Sequence, residues 1–149
     1  MEQKFRYYLR VRYSECDQQR VVSNTRYGDY IAVAFTEFVR AIGLRDDFES
    51  GRLGVQWVKQ TVEWHSPARF DQVLEVTVAT TKVGTTSFTI ATEIRDADVE
   101  HRLIATAETV LVLIDLRTMS KTNLTERHRT ALQDGAPGTV MDHAGFLQR

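Results

Sequence analysis

The sequence lacks the features that mark secreted, disulfide-stabilised or membrane-spanning proteins. Cys16 is its single cysteine, so no disulfide can form within the chain, which is typical of a reducing compartment. No apolar run approaches the ~20 residues of a membrane span. The N-terminal segment MEQKFRYYLRVRY has no apolar stretch of the kind found in signal peptides. We therefore expect a cytoplasmic protein with no membrane partner.

An excess of charge of one sign is also absent. The chain has 19 Lys and Arg against 20 Asp and Glu, a formal net charge of −1, and its basic residues are scattered singly. Nucleic acids are bound through local positive potential, so we expect no nucleic-acid partner. The 149 residues are 42% hydrophobic and 26% charged, ordinary values for a globular chain. They predict one domain, 1–149, with one core.

One buried helix is the centre of the predicted fold. Between residues 27 and 42, apolar side chains recur at the spacing that places them on one helical face. Ser23 or Asn24 is expected to cap the start of this helix, and Gly43 to end it. The apolar positions are Tyr27, Tyr30, Ile31, Ala34, Phe35, Phe38, Val39 and Ile42.

Five strands are predicted to wrap this helix. Alternating apolar and polar residues favour strands at 5–13, 55–65, 73–83, 87–95 and 103–116. The last contains the most apolar run of the chain, 110–114, and is expected to be central and covered on both sides. Hairpin connections are expected at 66–71, 84–86 and 96–100.

These elements predict an α+β domain in which one antiparallel five-stranded sheet curls around one long helix. Its core extends from about residue 5 to residue 116, followed by a C-terminal part at 117–149. There, Thr125 is expected to cap a short helix at 126–132, which the Gly and Pro residues at 135–138 end. The remaining residues, 139–149, are expected to form a mobile or loosely docked tail.

The segment before the long helix resembles the opening of a known family. Its residues read Val11-x-Tyr13-x-Glu15-Cys16-Asp17-x-x-Arg20-Val21-Val22, followed by Tyr27-x-x-Tyr30. This pattern is similar to that of the 4-hydroxybenzoyl-CoA thioesterase family of hot-dog folds, as are segment 62–71 and Thr86-Ser87-Phe88. The resemblance implies a hot-dog fold that hydrolyses acyl-CoA or acyl-carrier thioesters, with no metal or other cofactor. It also implies an active site formed between two subunits.

The sequence departs from this family at four places. Many members have Asp-Thr-Asp where this chain has Glu15-Cys16-Asp17, and Gly where it has Arg20. Where members often have Tyr-His-Ala-Asn the chain has residues 23–26, and where many have a helix Glu it has Ala32. The resemblance implies that the catalytic Asp of the family is kept, as Asp17. Asn24 replaces the His, and its amide can form hydrogen bonds but cannot titrate.

Thioester hydrolysis needs a nucleophile or a base, together with donors that stabilise the oxyanion. The resemblance implies Asp17 as nucleophile or general base, although an Asp in a polar loop is often only a turn former. The first amides of the helix, near Asn24, can donate to the oxyanion and carry the positive end of the helix dipole. As substrate-binding residues the resemblance suggests Tyr13, Thr25, Tyr27 and Arg69.

Two other classes of function are open at this point. Hot-dog dehydratases move protons beside a thioester carbonyl with a His and an acid, for which His65 with Glu63 or Asp17 would be the candidates. A non-catalytic acyl-binding protein is the third class, favoured by the altered positions Glu15, Arg20, Asn24 and Ala32. For each class we expect a homodimer or homotetramer, because a sheet wrapped on one helix leaves an edge strand exposed.

Overall fold

The computed structural model describes residues 4–48 and 50–148. The predicted domain limits at 1 and 149, and Glu49 in the connector after the long helix, lie outside the described residues. The predicted helix is present as α1, Tyr27–Ala41, and the connector after it contains a short helix, α2, Arg45–Phe48. All of its predicted apolar positions are buried, except Ile42, which follows its last residue and is half-buried. Within the described residues, no helix is both long enough and apolar enough to span a bilayer.

The five predicted strands are all present: β1 Phe5–Arg10, β2 Leu53–Trp64, β3 Val73–Val83, β4 Ser87–Asp96 and β5 Leu103–Asp115. Two short strands that were not predicted, β6 Ser120–Lys121 and β7 Val140–Asp142, make the sheet seven-stranded. The strand order is β2-β5-β4-β3-β1-β7, and β6 pairs with the end of β5. The predicted central position of β5 is confirmed, and all four residues at 111–114 are buried.

The core lies between α1 and the face of the sheet that curls around it. Phe38 of α1 packs edge-on against Phe5 of β1, with ring centroids 5.7 Å apart. Phe35 stacks on Phe88 of β4 at 6.1 Å. Burial alternates residue by residue along β4, where Phe88, Ile90 and Ile94 are buried, as expected from the pleat. This arrangement is a helix wrapped by an antiparallel sheet, the predicted hot-dog fold.

One predicted connection is wrong. Residues 66–71 do not form a hairpin, because β2 pairs with β5 whereas β3 pairs with β1 and β4. The segment instead crosses from the edge of the sheet at β2 to its other half. The turns at 84–86 and 96–102 do connect paired antiparallel strands, β3 with β4 and β4 with β5.

The C-terminal part is more ordered than predicted. Thr125 caps α3, Glu126–Asp134, by accepting a hydrogen bond from the His128 backbone N–H, as predicted. The prediction of a mobile or loosely docked tail at 139–149 is wrong, because β7 pairs in parallel with β1. Beyond β7, Phe146 stacks on Tyr8, and the Asp142 carboxylate accepts backbone N–H groups at 144, 146 and 147. The open edge of β1 and its aromatic residues provide the surface on which this segment docks.

The start of α1 also differs from prediction. A 3₁₀ turn, Asn24–Arg26, precedes the helix, so that Arg26 occupies the cap position, and its side chain makes no capping hydrogen bond. Neither Ser23 nor Asn24 therefore caps α1, and the Ser23 hydroxyl lies 3.1 Å from that of Thr25. The first strand ends at Arg10 instead of residue 13, because Tyr13–Glu15 forms another 3₁₀ turn.

Candidate functional site

Asp17 lies at the start of a tight turn between β1 and α1. The turn is closed by an antiparallel bridge between Cys16 and Val22, and by a hydrogen bond of 2.9 Å from the Asp17 N–H to the Val21 carbonyl. Within it, the Arg20 N–H donates to the Asp17 carbonyl at 2.9 Å. Arg20 has a φ of 63°, in the left-handed region that favours glycine. The turn holds Asp17 at a defined place on the surface.

The crossing segment between β2 and β3 supports this turn from the other side. Val21 forms a bridge with Arg69, and the Val22 N–H donates to the Ala68 carbonyl at 2.8 Å. The pairing brings the exposed ring of Phe70 edge-on to Tyr13, with centroids 5.9 Å apart. Two segments separated by some fifty residues thus meet at Asp17.

An open groove of about 740 Å³ lies where they meet, within the size range of small-molecule sites. The Asp17 carboxylate is exposed in this groove, and its Oδ1 accepts the Gln19 N–H at 2.8 Å. Its Oδ2 accepts no hydrogen bond from any residue that the structure describes. One carboxylate oxygen thus shapes the turn while the other is open to the groove. The groove is lined by Tyr13, Cys16, Asp17, Gln18, Arg20 and Phe70.

Glu15, two residues before Asp17, is buried and fully engaged. Its Oε1 accepts hydrogen bonds from the Arg12 N–H and the Tyr30 hydroxyl, each at 2.8 Å. Its Oε2 accepts from Arg12 Nε at 2.9 Å and Nη2 at 2.7 Å. Burial alone would raise the pKa of the Glu15 carboxyl, but the donors of Arg12 and Tyr30 outweigh it and hold the pKa below its usual value. Glu15 is therefore an ionised anchor.

The start of α1 follows the turn directly. The 3₁₀ turn Asn24–Arg26 places Asn24 and Thr25 on the surface just after Val22 and Ser23. The first amides of a helix have no acceptor within it and carry partial positive charge. Arg26 is exposed and lies 3.3 Å from the Asp29 carboxylate. The chain thus brings a carboxylate and a helix start together within nine residues.

The remaining predicted site residues lie at different depths. Arg69 is exposed beside the groove, and its N–H donates to Gln72 Oε1 at 2.7 Å. Tyr27 is 2% exposed and packs edge-on against Tyr30 and Trp64, inside the core. His65 lies outside the groove lining, at the end of β2, where its Nε2 is 3.3 Å from the Thr106 hydroxyl. Of the predicted site residues, Tyr13 and Asp17 line the groove.

Five residues of this region were not predicted as functional. Glu15 is buried and directly precedes Cys16 in the chain, and the other four line the groove: Cys16, Gln18, Arg20 and Phe70. Arg20 and Glu15 had been noted only as departures from the family pattern, and Phe70 only as part of a hairpin. The apolar pair Val21 and Val22 was a usable signal, since two β-prone residues after a turn can pair with another extended segment.

Chemically, the groove offers an anion and a partly apolar wall, and a helix start follows in the chain. The carboxylate of Asp17 can attack a carbonyl or deprotonate water. Tyr13 and Phe70 offer aromatic surface next to it, and Arg20 adds the one basic side chain among the groove-lining residues described. Burial raises the pKa of the adjacent Cys16 thiol, as do the neighbouring Glu15 and Asp17 charges. The thiol is therefore a weak nucleophile.

Comparison with known sequences places this chain among thioester hydrolases. A model of the thioesterase-like superfamily matches residues 11–132. The chain is 32% identical over 116 residues to the acyl-CoA thioester hydrolase YbgC of Escherichia coli O6:H1. The match covers 74% of this chain and 82% of that relative, and the same values hold for YbgC of Shigella flexneri.

Comparison with solved structures supports the fold. A 1,4-dihydroxy-2-naphthoyl-CoA thioesterase from Synechocystis superposes with a TM-score of 0.77 at 23% identity, covering 87% of this chain and 95% of that one. A Staphylococcus aureus protein solved in complex with CoA gives a TM-score of 0.79 at 15% identity, covering 88% and 82%. At these identities the likeness shows a shared hot-dog architecture.

Proposed function

Because the chain belongs to the thioesterase-like superfamily, we propose that it hydrolyses acyl-CoA thioesters in the groove at Asp17. The observation that carries this proposal is the exposed Asp17 carboxylate, which has one oxygen open to the groove and lies a few residues before a helix start. The identity of 32% to an acyl-CoA thioester hydrolase over most of both chains supports the same substrate class. Asp17 and Asn24 are the proposed catalytic residues.

The proposed reaction has two steps, attack on the thioester carbonyl and collapse of the tetrahedral intermediate. The Asp17 carboxylate attacks the thioester carbonyl carbon itself, or it deprotonates a water that does so. Either route gives a tetrahedral oxyanion, for which backbone N–H groups near Asn24 are the proposed donors. The carbon–sulfur bond then breaks, and the thiolate leaves and takes up a proton. In the first route, water cleaves the acyl–aspartate anhydride and regenerates the carboxylate.

The groove walls suggest how the substrate lies. Tyr13 and Phe70 form an aromatic pair on one side, suited to the apolar acyl group. Arg69 and Thr25 are proposed contacts for the polar part of the thioester carrier, since both are exposed on the segments that frame the turn. Tyr27 would act from the core, by supporting the first turn of α1 against Trp64.

The experiment is hydrolysis of a panel of acyl-CoA thioesters, followed by release of free thiol, with wild type and Asp17→Asn. An asparagine keeps the Oδ1 acceptor for the Gln19 N–H but removes the charge, so the turn survives and turnover falls by about 10²- to 10⁴-fold. Asp134→Asn, at the exposed end of α3, is the matched control and should keep full activity. Near-normal hydrolysis by a folded Asp17→Asn protein would contradict the mechanism.

The same panel tests the dehydratase alternative. His65 lies on Thr106 and is not among the residues that line the groove, so the proposed hydrolysis uses no imidazole. We expect His65→Ala to hydrolyse thioesters within a few-fold of wild type. A product with double-bond absorbance that disappears in His65→Ala would instead support a dehydratase.

We also propose that the active form is at least a homodimer. Strand β2 is the edge of the sheet, twelve residues long, and most of its side chains are exposed. Among them are Trp57, Val58 and Trp64, which are 36%, 53% and 48% exposed. A long edge strand with large apolar side chains is a surface that proteins usually cover. A second copy of the chain is the proposed cover.

A further inference from the structure

We propose that Glu15 is a positioning residue for this reaction, whose buried carboxylate fixes the Asp17 turn against α1. The inference rests on the proposed function, because it concerns the placement of Asp17 relative to the helix start. Glu15 is 3% exposed and is not among the residues that line the groove, so it does not contact substrate there. Its effect on the reaction would act through Asp17.

The side chain of Glu15 joins two parts of the chain. Arg12, just before the 3₁₀ turn, donates three hydrogen bonds to the carboxylate, and Tyr30, in the first turn of α1, donates one. The Arg12 side chain is 78% exposed, whereas Tyr30 is 3% exposed. Because water competes for Arg12 but not for Tyr30, the Tyr30 contact is the one that sets the distance between the turn and α1.

The backbone of Glu15 holds both ends of the Asp17 turn. The residue after it, Cys16, forms the bridge to Val22 that closes the turn. The Ser23 N–H, just after the turn, donates to the Glu15 carbonyl at 2.9 Å. A displacement of Glu15 would therefore move the start and the end of the turn together, and Asp17 with them.

Such a displacement matters for catalysis more than for binding. The carboxylate that attacks and the amides that receive the oxyanion must be correctly spaced before substrate arrives. A misplacement of about 1 Å is enough to cost on the order of 10²-fold in rate. In the proposed function substrate affinity comes from the residues that line the groove, and Glu15 is not one of them. The expected signature is a fall in kcat at nearly constant KM.

The alternative explanation is that Glu15 contributes only to the stability of the fold. The chain offers a second buried carboxylate, matched to Glu15, with which this can be tested. Glu75 on β3 is also a buried carboxylate, 6% exposed. It accepts a tyrosine hydroxyl, that of Tyr8, at 2.8 Å, and lies 2.7 Å from His101 Nε2. None of Glu75, Tyr8 and His101 lines the groove. Glu75→Gln should therefore destabilise the fold in a comparable way without moving Asp17.

The experiment compares Glu15→Gln with Glu75→Gln, and Tyr30→Phe with Tyr8→Phe, in the full chain. Thioester hydrolysis is measured well below the melting temperature of every variant. We expect kcat to fall about 10- to 100-fold in Glu15→Gln, with KM within about threefold of wild type. In Tyr30→Phe, kcat should also fall, by a smaller factor. Both control variants should keep kcat within about twofold.

Amide hydrogen exchange gives a readout that does not depend on turnover. The Asp17 and Arg20 N–H groups are hydrogen-bonded within the turn, so their protection reports its order. We expect a peptide covering residues 16–23 to exchange faster in Glu15→Gln than in wild type or Glu75→Gln. Equal exchange in the two variants, or kcat in Glu15→Gln within twofold of Glu75→Gln, would overturn the inference. If Glu15→Gln does not fold, the same criteria apply to Tyr30→Phe against Tyr8→Phe.

Failure of this inference can be told apart from failure of the proposed function. If Asp17→Asn is inactive while Glu15→Gln and Tyr30→Phe match their controls, the mechanism at Asp17 stands and Glu15 is only a stabilising residue. If folded Asp17→Asn hydrolyses thioesters normally, the proposed mechanism fails, and with it any positioning role of Glu15.

Discussion

Replacing Phe38 by alanine tests the buried helix on which the whole architecture depends. Phe38 is 1% exposed and packs edge-on against Phe5 of β1 at 5.7 Å, so its ring joins α1 to the sheet. The change removes an aromatic ring from water-excluded surroundings and leaves a cavity that the fixed sheet cannot fill. Together these terms cost about 3–5 kcal/mol. This is a large share of the ~5–15 kcal/mol by which a domain is stable.

The expected change in melting temperature follows from chain length. For 149 residues, an unfolding entropy of about 2.1 cal/mol/K per residue gives ~0.31 kcal/mol/K, so Phe38→Ala should melt about 10–16 °C below wild type. Thermal unfolding followed by circular dichroism, at equal protein concentration, measures this. Phe70→Ala is the control, because that ring is 54% exposed and its loss should cost less than about 1 kcal/mol. A Phe38→Ala protein that melts within about 2 °C of wild type would refute the reasoning.

Two further predictions concern the Asp17 turn and the edge of the sheet. Arg20→Gly should raise the free energy of unfolding by up to about 1 kcal/mol, because glycine adopts the left-handed φ of 63° without strain. The control Gln19→Gly, at the neighbouring position, should lower the free energy of unfolding. Urea unfolding measures both, and the reverse order of stability would contradict the prediction. Sedimentation at micromolar concentration should give at least twice the chain mass of 17.1 kDa. Val58→Lys should weaken that assembly, whereas Val99→Lys should not, because Val99 is similarly exposed but lies at the β4–β5 turn. A monomeric wild-type protein would rule out an active site shared between two subunits.

The main elements of the fold could be predicted from local pattern. The period of apolar residues in α1 and the alternation in β4 each reflect burial on one face, and the apolar run of β5 reflects burial on both faces. The pairing partners of β2 and the docking of β7 could not be predicted in this way. Pairing depends on contacts between distant segments, such as Trp57 with Leu111 or Tyr7 with Met141, and a strand's own pattern does not name its neighbour.

The residues of the candidate site also differ in whether local sequence pattern could predict them. Asp17 was predicted as a site residue because its turn and the following helix are contiguous in sequence, and because they resemble a known family. Phe70 was missed because it reaches Tyr13 only through the bridge between Val21 and Arg69. Glu15 was noted as a substitution, yet its proposed role depends on Tyr30, fifteen residues later on another element. Residues that act through tertiary contacts need the structure to reveal them.

The parallel strand β7 limits how copies of this chain can join. A sheet with two long free edges can add copies head to tail, one edge pairing with the opposite edge of the next molecule, and such a series grows without end. Here β7 occupies the outer side of β1 and leaves an edge of only three residues, whereas β2 offers twelve. Edge-to-edge growth into a filament is therefore disfavoured at β7, and pairing of β2 with its own copy, which closes after two molecules, is the arrangement that we propose for the dimer.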